Sequence, residues 1–329
     1  LSEMKVPFVY CCDANFGIKD RDVEVAREFA RCKDEYGYPN FIGVSWAKNS
    51  SKEVLEIADI LKAAEIGFRI TLSLQSLNQE VVKEIRRVNI KRGEFDKIKD
   101  AYRKQNLYSY TELIMGLPKE NYKSFIEGLE NSLSNSLFDQ LYVYPLFLFP
   151  NTEMSLRENR EKHSIETRKM ECTYTKSKTL NEIKEEVEIV VGNKALPKEK
   201  WVDAFVIGYE TLALHDDRLG FFVMNYLKRE YGTKITDLVS FARKHSKSEN
   251  LPVIRDSFSR LENCALDVQN NSKDHLIRPR GYGGIPFDPP EGIFLELLLD
   301  KEKFYEEFLQ TTKAYLKWMS GDYIKLLKS

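Results

Sequence analysis

Short β-rich segments alternate with amphipathic helical segments through the first half of this sequence, at a spacing of roughly 30–40 residues. One helical segment, SKEVLEIADILKAAEIG (51–67), ends at a glycine, which is typical of a helix C-terminus. The predicted strands are FVYCCDAN (8–15), FIGVSWA (41–47), FRITLSLQS (68–76), YTELIMGL (110–117) and QLYVYPLFLF (140–149). Because parallel strands need helical crossovers of this length, the pattern predicts a parallel α/β barrel or partial barrel.

The second half of the sequence loses this alternation after Pro150. Residues 157–200 are polar and predict helix or loop, and the Gly/Pro-rich stretch 278–292 predicts a connecting loop. Helical periodicity runs through 199–230, 235–245, 248–270 and 301–328. The sequence therefore predicts an α/β domain over 1–156 and a mostly α-helical domain over 157–329.

Composition excludes several classes of protein. The chain has 50 Lys and Arg against 51 Asp and Glu, a net charge of −1, which argues against a general nucleic-acid-binding surface. No apolar run reaches the roughly 18 residues of a membrane helix, and no signal-peptide pattern is visible. The 5 cysteines are scattered without a metal-binding spacing, which predicts a reducing cytoplasm, inert thiols and no metal site.

Polar residues occupy one face of the predicted strands. In FRITLSLQS, the apolar Ile70, Leu72 and Leu74 alternate with Arg69, Thr71, Ser73 and Gln75. With the apolar face against the helices, the polar face points into the barrel. The same alternation assigns further residues to the interior: Asp13 and Asn15 on the face of Cys11, then Ser45, Glu112, Tyr142 and Tyr144.

A polar barrel interior is unusual, because such interiors are normally filled by branched apolar side chains. Polar side chains there lose solvation unless they are hydrogen-bonded or contact a ligand. Parallel α/β folds bind ligands at the C-terminal ends of their strands. The sequence therefore predicts an internal ligand site at that end of the strands.

Four segments resemble, in order and spacing, the radical S-adenosylmethionine enzymes, most closely the subgroup with an upstream cobalamin-binding domain. They are DANFG (13–17), SLQSLNQEVVKEIRRVN (73–89), ELIMGLPKE (112–120) and FPNTEM (149–154). The resemblance covers residues 1 to about 156 and implies an α/β fold, a TIM-like partial (β/α)6 barrel whose second to sixth strands are present. Family members hold a [4Fe-4S] cluster with a CxxxCxxC motif. That motif is absent here and is expected upstream of Leu1.

The resemblance also implies which residues contact S-adenosylmethionine. Asp13 and Asn15 match the position near its amino group, and Gly116 offers backbone beside the adenine, where a missing Cβ allows close approach. The full set of expected cofactor contacts is Asp13, Asn15, Ser45, Ser73, Gln75, Glu112, Gly116, Leu117, Asn151 and Thr152. No acid–base pair stands out as catalytic, which suits chemistry that resides in cofactors.

The activity implied by the resemblance is a cobalamin-dependent methyl transfer to an unactivated carbon or phosphorus of a small molecule. The implied cofactors are S-adenosylmethionine, a [4Fe-4S] cluster and cobalamin. A reductant protein such as flavodoxin or ferredoxin is the implied partner, with no nucleic acid and no membrane. Two alternatives stay open: other radical chemistry such as methylthiotransfer or ring rearrangement, and a non-catalytic barrel that binds a nucleotide-like ligand or a protein.

Overall fold

The computed structural model describes residues 1–47, 51–87, 92–137, 139–171, 185–270 and 273–326. The strands are β1 (Phe8–Phe16), β2 (Phe41–Trp46), β3 (Ile70–Gln75), β4 (Ser109–Met115), β5 (Asp139–Pro145), β6 (Phe147–Leu148), β7 (Glu166–Glu171) and β8 (Glu186–Gly192). The helices are α1 (Asp20–Tyr36), α2 (Ser51–Ala63), α3 (Gln79–Glu84), α4 (Arg92–Lys104), α5 (Tyr122–Ser132), α6 (Arg157–His163), α7 (Lys198–Thr211), α8 (Phe221–Tyr231), α9 (Ile235–Ser248), α10 (Pro252–Gln269), α11 (Pro289–Leu299) and α12 (Lys301–Leu326). A π-helical turn, Leu212–Asp216, follows α7.

Parallel strands alternate with helices through the first half of the chain, as predicted. Strands β1 and β2 pair in parallel, and a second sheet has the order β3-β4-β5, with β3 and β4 parallel. A single parallel bridge between Phe41 and Gly67 links β2 to the segment before β3. This confirms a mixed α/β fold with parallel sheets and a helical C-terminal region, whereas closure into a partial barrel stays a prediction.

The strands bury one face, as their alternation predicts. In β3, Ile70, Leu72 and Leu74 are only 1%, 5% and 2% exposed, while the intervening polar residues are half-buried. Apolar side chains of α2, such as Ile57 and Leu61, are completely buried. Removing this apolar surface from water is the main force that holds strands and helices together.

The prediction of helix or loop for residues 157–200 is wrong over two segments. Strands β6, β8 and β7 form an antiparallel sheet in that order. In β7, whose sequence is ETRKME, only Met170 is buried, so its alternation is hidden among charged residues. The predicted loop 278–292 also ends early, because α11 begins at Pro289, and proline favours the first turn of a helix.

The described residues form two compact units. Unit 1 draws on Leu1–Gln75, Val88–Leu113 and Ser134–Tyr142, and unit 2 on Ser76–Arg87, Ile114–Leu133 and Val143–Ser329. The predicted domain boundary at residue 156 stays a prediction. None of the described helices is both long and apolar enough to cross a bilayer.

Candidate functional site

In unit 1, the half-buried face of β3 and β4 carries polar side chains that bond to one another. Ser73 lies opposite Glu112 in the strand register, and its hydroxyl donates to the Glu112 carboxylate. The Arg69 guanidinium donates to Tyr142 Oη at 3.3 Å, and the Tyr142 ring packs edge-on against Tyr110 with centroids 5.5 Å apart. The predicted polar wall therefore exists on these strands, and it brings Ser73 and Glu112 together.

Gln75 ends β3 in an unusual backbone conformation. Its φ is 61°, in the left-handed region, and the β3–β4 register shifts between Ser73 and Gln75. A non-glycine residue rarely adopts this conformation, and such strain concentrates at functional sites. The strand end at Gln75 is therefore a candidate for ligand contact on conformational grounds as well as on alternation.

Strand β1 departs from the predicted alternation. Tyr10 pairs with Gly43, and a Cβ on Gly43 would lie 2.7 Å from the Tyr10 ring, so both share a face. Cys11 pairs with Val44, which is 8% exposed, on the opposite face. The prediction that Cys11 lies on the interior face is therefore wrong. Ser45 alternates with Val44 and is half-buried on the same side as Gly43.

Asp13 and Asn15 lie in the part of β1 where the pairing with β2 is irregular, between Cys11 and Phe16. Asp13 accepts a hydrogen bond from Arg21 Nη2 at 3.3 Å and another from the backbone N–H of Asn15 at 2.9 Å. The Asp13 carboxylate is thus oriented by Arg21 and by the backbone of Asn15, within an irregular part of the strand. A contact with cofactor through Asp13 and Asn15 stays a prediction.

In unit 2, Gly116 directly follows β4 with a φ of 95°, and its carbonyl accepts a hydrogen bond from Asn193 Nδ2 at 2.8 Å. A Cβ at Gly116 would find no atom nearer than 3.8 Å, so glycine is required by conformation and not by space. The Asn193 side chain also accepts from the backbone N–H groups of Ala195 and Leu196. Sequence reasoning missed Asn193, although an Asn beside a Gly after an apolar run is a turn signal.

Leu117 is 2% exposed and belongs to an apolar cluster with Val81, Leu146, Leu148 and Val190. Its side chain is therefore core, and only its backbone is available to a ligand. Glu120 is likewise buried, at 3% exposed, and accepts from the Ser76 hydroxyl at 2.9 Å. Burial raises the pKa of Glu120 to about 7, because hydrogen bonds from the Ser76 and Ser124 hydroxyls offset only part of the lost solvation.

Asn151 and Thr152 form an exposed turn after β6. Asn151 has a φ of 66°, and the Thr152 hydroxyl donates to the carbonyl of Phe149 at 2.8 Å. Thr152 lines a cavity of about 460 Å³ together with Pro118 and Lys119, which follow Gly116 and Leu117. Within unit 2, the structure thus brings the turn after β4 and the turn after β6 to one cavity.

Glu84, at the end of α3, forms part of the wall of this cavity. Its carboxylate lies 2.9 Å from Lys119 Nζ and 3.0 Å from His163 Nε2, and it also bonds to Lys162. Hydrogen bonds from Lys162 and Lys119 lower the pKa of Glu84 well below its usual value despite desolvation. Sequence reasoning missed Glu84 because its partners are distant in the chain.

The described residues do not fit an iron–sulfur cluster. Cys11, Cys12, Cys32 and Cys264 are free thiols. No group of three or more His, Cys, Asp or Glu side chains within the described ranges converges as metal ligands do. No chemical step is therefore derived through a cluster held by these residues.

Two characterised proteins are similar to this chain over most of its length, although no protein-family model matches it. Cobalamin-dependent radical SAM methyltransferase TokK of Streptomyces tokunonensis is 32% identical over 228 residues, which are 69% of this chain and 34% of TokK. The chain is a homologue of cobalamin-dependent radical S-adenosylmethionine methyltransferases. The predicted resemblance is thereby confirmed.

The second relative is the 2-(S-pantetheinyl)-carbapenam-3-carboxylate methyltransferase of Streptantibioticus cattleyicolor. It is 31% identical over 230 residues, 70% of this chain and 34% of that protein. The chain thus spans about a third of the length of these relatives. Among solved structures, the radical S-adenosylmethionine methyltransferase TsrM from Kitasatospora setae, with cobalamin and a [4Fe-4S] cluster bound, aligns with a TM-score of 0.37 and 16% identity, covering 49% of this chain and 32% of TsrM.

Proposed function

We propose that this chain is the S-adenosylmethionine-binding part of a cobalamin-dependent radical methyltransferase. The observation that carries the proposal is the 32% identity to TokK over 228 residues. Because the chain spans 34% of TokK, the complete reaction is assigned to the full-length protein. The parallel strands of the first half form, in this proposal, part of a (β/α)6 barrel.

The polar wall of unit 1 offers hydroxyl, amide and carboxylate groups, which are the kind of groups that bond to a ribose or an amino acid. Ser73 and Glu112 are already joined by a hydrogen bond, so a ribose hydroxyl that bonds to them exchanges one partner for another without leaving a carboxylate unpaired. Gln75 supplies an amide at the strained end of β3. Asp13, Asn15 and Ser45 are proposed as further contacts of this kind.

The two turns of unit 2 fit the adenine end. Pro118, which directly follows Gly116 and Leu117, lines the cavity together with Met154 and Thr152. A purine ring has hydrogen-bonding edges, which suit the charged and polar side chains that make up most of this lining, and a flat apolar face, which suits Pro118 and Met154. The proposed role of the chain is to bind and orient the cofactor.

The remaining cofactors are assigned to other segments of the full-length protein. In this proposal those segments supply the CxxxCxxC ligands of the [4Fe-4S] cluster and bind cobalamin. A small-molecule substrate accepts the methyl group, and a reductant protein such as flavodoxin or ferredoxin supplies electrons. One molecule of S-adenosylmethionine would supply the methyl group and leave as S-adenosylhomocysteine. A second molecule, on one-electron reduction by the reductant protein, would give a 5′-deoxyadenosyl radical and methionine.

The test uses the full-length gene product, reconstituted anaerobically with iron, sulfide and cobalamin. We expect broad visible absorbance from the cluster and, with a reductant and methyl-deuterated S-adenosylmethionine, labelled methylcobalamin detectable by mass spectrometry. A protein that takes up neither cluster nor cobalamin contradicts the proposal and favours a non-catalytic binding module. Uptake of the cluster without methyl transfer to cobalamin favours another radical chemistry.

A further inference from the structure

We propose that Glu84 is a positioning residue that holds the two turns at the unit 2 cavity in the arrangement that binds the adenine end of the cofactor. This inference rests on the proposed function, since it assumes that S-adenosylmethionine binds at these turns. It concerns a residue whose side chain does not need to touch the cofactor.

One carboxylate gathers three partners from two other segments of unit 2. Lys119 comes from the loop after β4, and Lys162 and His163 end α6. The side chains of Glu84 and His163 are only 13% and 11% exposed, whereas Lys119 and Lys162 are 45% and 58% exposed. The anion is thus the shielded centre of this group, and its loss leaves three donors without their common acceptor.

Each partner lies next to a proposed contact. Lys119 follows Pro118 and is three residues after Gly116 in the sequence, so its anchoring fixes the end of the turn after β4. Helix α6 begins a few residues after Thr152 and returns to Glu84 at its last residue, which fixes the segment after β6. Two segments that border the cavity, the loop after β4 and the end of α6, therefore bond to one acceptor, Glu84, on a third segment.

An ion pair between the end of α3 and the turn after β6 is a second link at this cavity, and it is much weaker. The Arg86 guanidinium donates to Glu153 at 2.8 Å and 3.0 Å, but these side chains are 78% and 68% exposed. Solvent-exposed ion pairs of this kind contribute little to holding a structure. Glu84 therefore carries most of the electrostatic connection around the cavity.

The test compares Glu84→Gln with Glu130→Gln in the full-length protein, by titration calorimetry with S-adenosylhomocysteine and by thermal unfolding. Glu130 is a matched control, because its side chain is 14% exposed and it bonds to Lys228 and to Thr236 of unit 2. We expect Glu84→Gln to weaken binding roughly tenfold, the size of one charged hydrogen bond. Glu130→Gln is expected to lower the melting temperature similarly and to leave affinity unchanged.

Wild-type affinity in a folded Glu84→Gln variant overturns the inference, and so does an equal loss of affinity in both variants. If Glu84→Gln does not fold, Lys162→Met replaces it, since Lys119 and His163 remain bonded to Glu84, and a smaller loss of affinity is then expected. Wild-type affinity in Lys162→Met also counts against the inference. If the full-length wild-type protein itself fails to bind S-adenosylhomocysteine, the proposed function fails, and the inference fails with it.

Discussion

Asp139 of unit 1 and Glu210 of unit 2 are both buried carboxyl groups, at 5% and 1% exposed, yet their pKa values move in opposite directions. Burial alone raises the pKa of Asp139, but the charge of Lys99 and hydrogen bonds from Ser134, Ser109 and Arg103 bring it below its usual value. Burial raises the pKa of Glu210 to about 8, since Ser257 is its one hydrogen-bond donor in the described structure. Partners, more than burial, decide whether such a group is charged.

The carboxyl groups around the candidate site can be compared with Asp139 and Glu210 by the hydrogen-bond and ion-pair partners that each one has. Glu84, with two lysines and a histidine, resembles Asp139, because cationic partners lower its pKa. Glu120, with hydroxyl donors from Ser76 and Ser124, lies between the extremes with a pKa of about 7. The comparison predicts that the paired carboxylates hold structure in place, and that the poorly paired ones make stability depend on pH.

The largest effect is expected at Asp139. Replacing it with Ala removes the buried acceptor that Lys99 and Arg103 share, and we expect a loss of about 3–5 kcal/mol in the free energy of unfolding. Urea denaturation followed by circular dichroism measures it. Asp100→Ala is the control, because Asp100 bonds to the same Arg103 but is 63% exposed, and its loss should stay below about 1 kcal/mol. Equal losses in the two variants contradict the comparison.

Glu210→Gln tests the buried carboxyl group that has no cationic partner among the described residues. The folded-state pKa of about 8 lies above the usual 4.5, so the unfolded chain releases this proton first as the pH rises. Wild-type stability therefore falls between about pH 5 and about pH 8, whereas the Gln variant lacks this titration. We expect the variant to gain on the order of 3 kcal/mol relative to wild type across that range. Parallel pH profiles of unfolding free energy would show that Glu210 is ionised in the folded protein.

A smaller effect is expected at Gly116. Its φ of 95° is unfavourable for any residue with a Cβ, so Gly116→Ala should lower the free energy of unfolding by about 1–2 kcal/mol. Gly128 in α5 provides the control, because a Cβ there meets nothing within 4 Å. Gly128→Ala should raise stability by roughly 0.5–1 kcal/mol, since Ala favours helix. A stability gain in both variants would refute the conformational requirement at Gly116.

The smallest effect is expected at an exposed ion pair of the antiparallel sheet. Lys169 on β7 lies 3.1 Å from Glu186 on β8, and their side chains are 71% and 55% exposed. Lys169→Ala should change the free energy of unfolding by less than about 1 kcal/mol, and added salt should reduce the change further. A loss comparable to that of Asp139→Ala would mean that exposure does not govern the strength of these pairs.

The sequence was most informative where a regular pattern meets one buried face. In β3, the alternation of Ile70, Leu72 and Leu74 with polar residues correctly predicted the buried face, and the opposite face carries the hydrogen bond between Ser73 and Glu112. The same alternation gave the wrong face for Cys11 in β1, because the irregular pairing after Cys11 interrupts the period of two on which the prediction depends. It also failed in β7, where a single buried Met170 cannot show a period.

The contacts that shape the candidate site were mostly beyond sequence reasoning. Asn193 reaches Gly116, and Glu84 reaches Lys119 and His163, across long separations in the chain. No local pattern encodes which of many similar carboxylates and amides makes such a contact. The resemblance to a known family identified Gly116 and Thr152 as candidates, but the physical reason for Gly116 proved to be its backbone conformation.

Hydrogen exchange of the full-length protein, followed by mass spectrometry with and without S-adenosylhomocysteine, tests the proposed cofactor contacts most directly. We expect slower exchange in peptides that cover residues 73–76, 112–120 and 149–154, and little change in α9 and α10. Slower exchange confined to the helical region, or no change at saturating ligand, would contradict the proposed cofactor contacts at these residues.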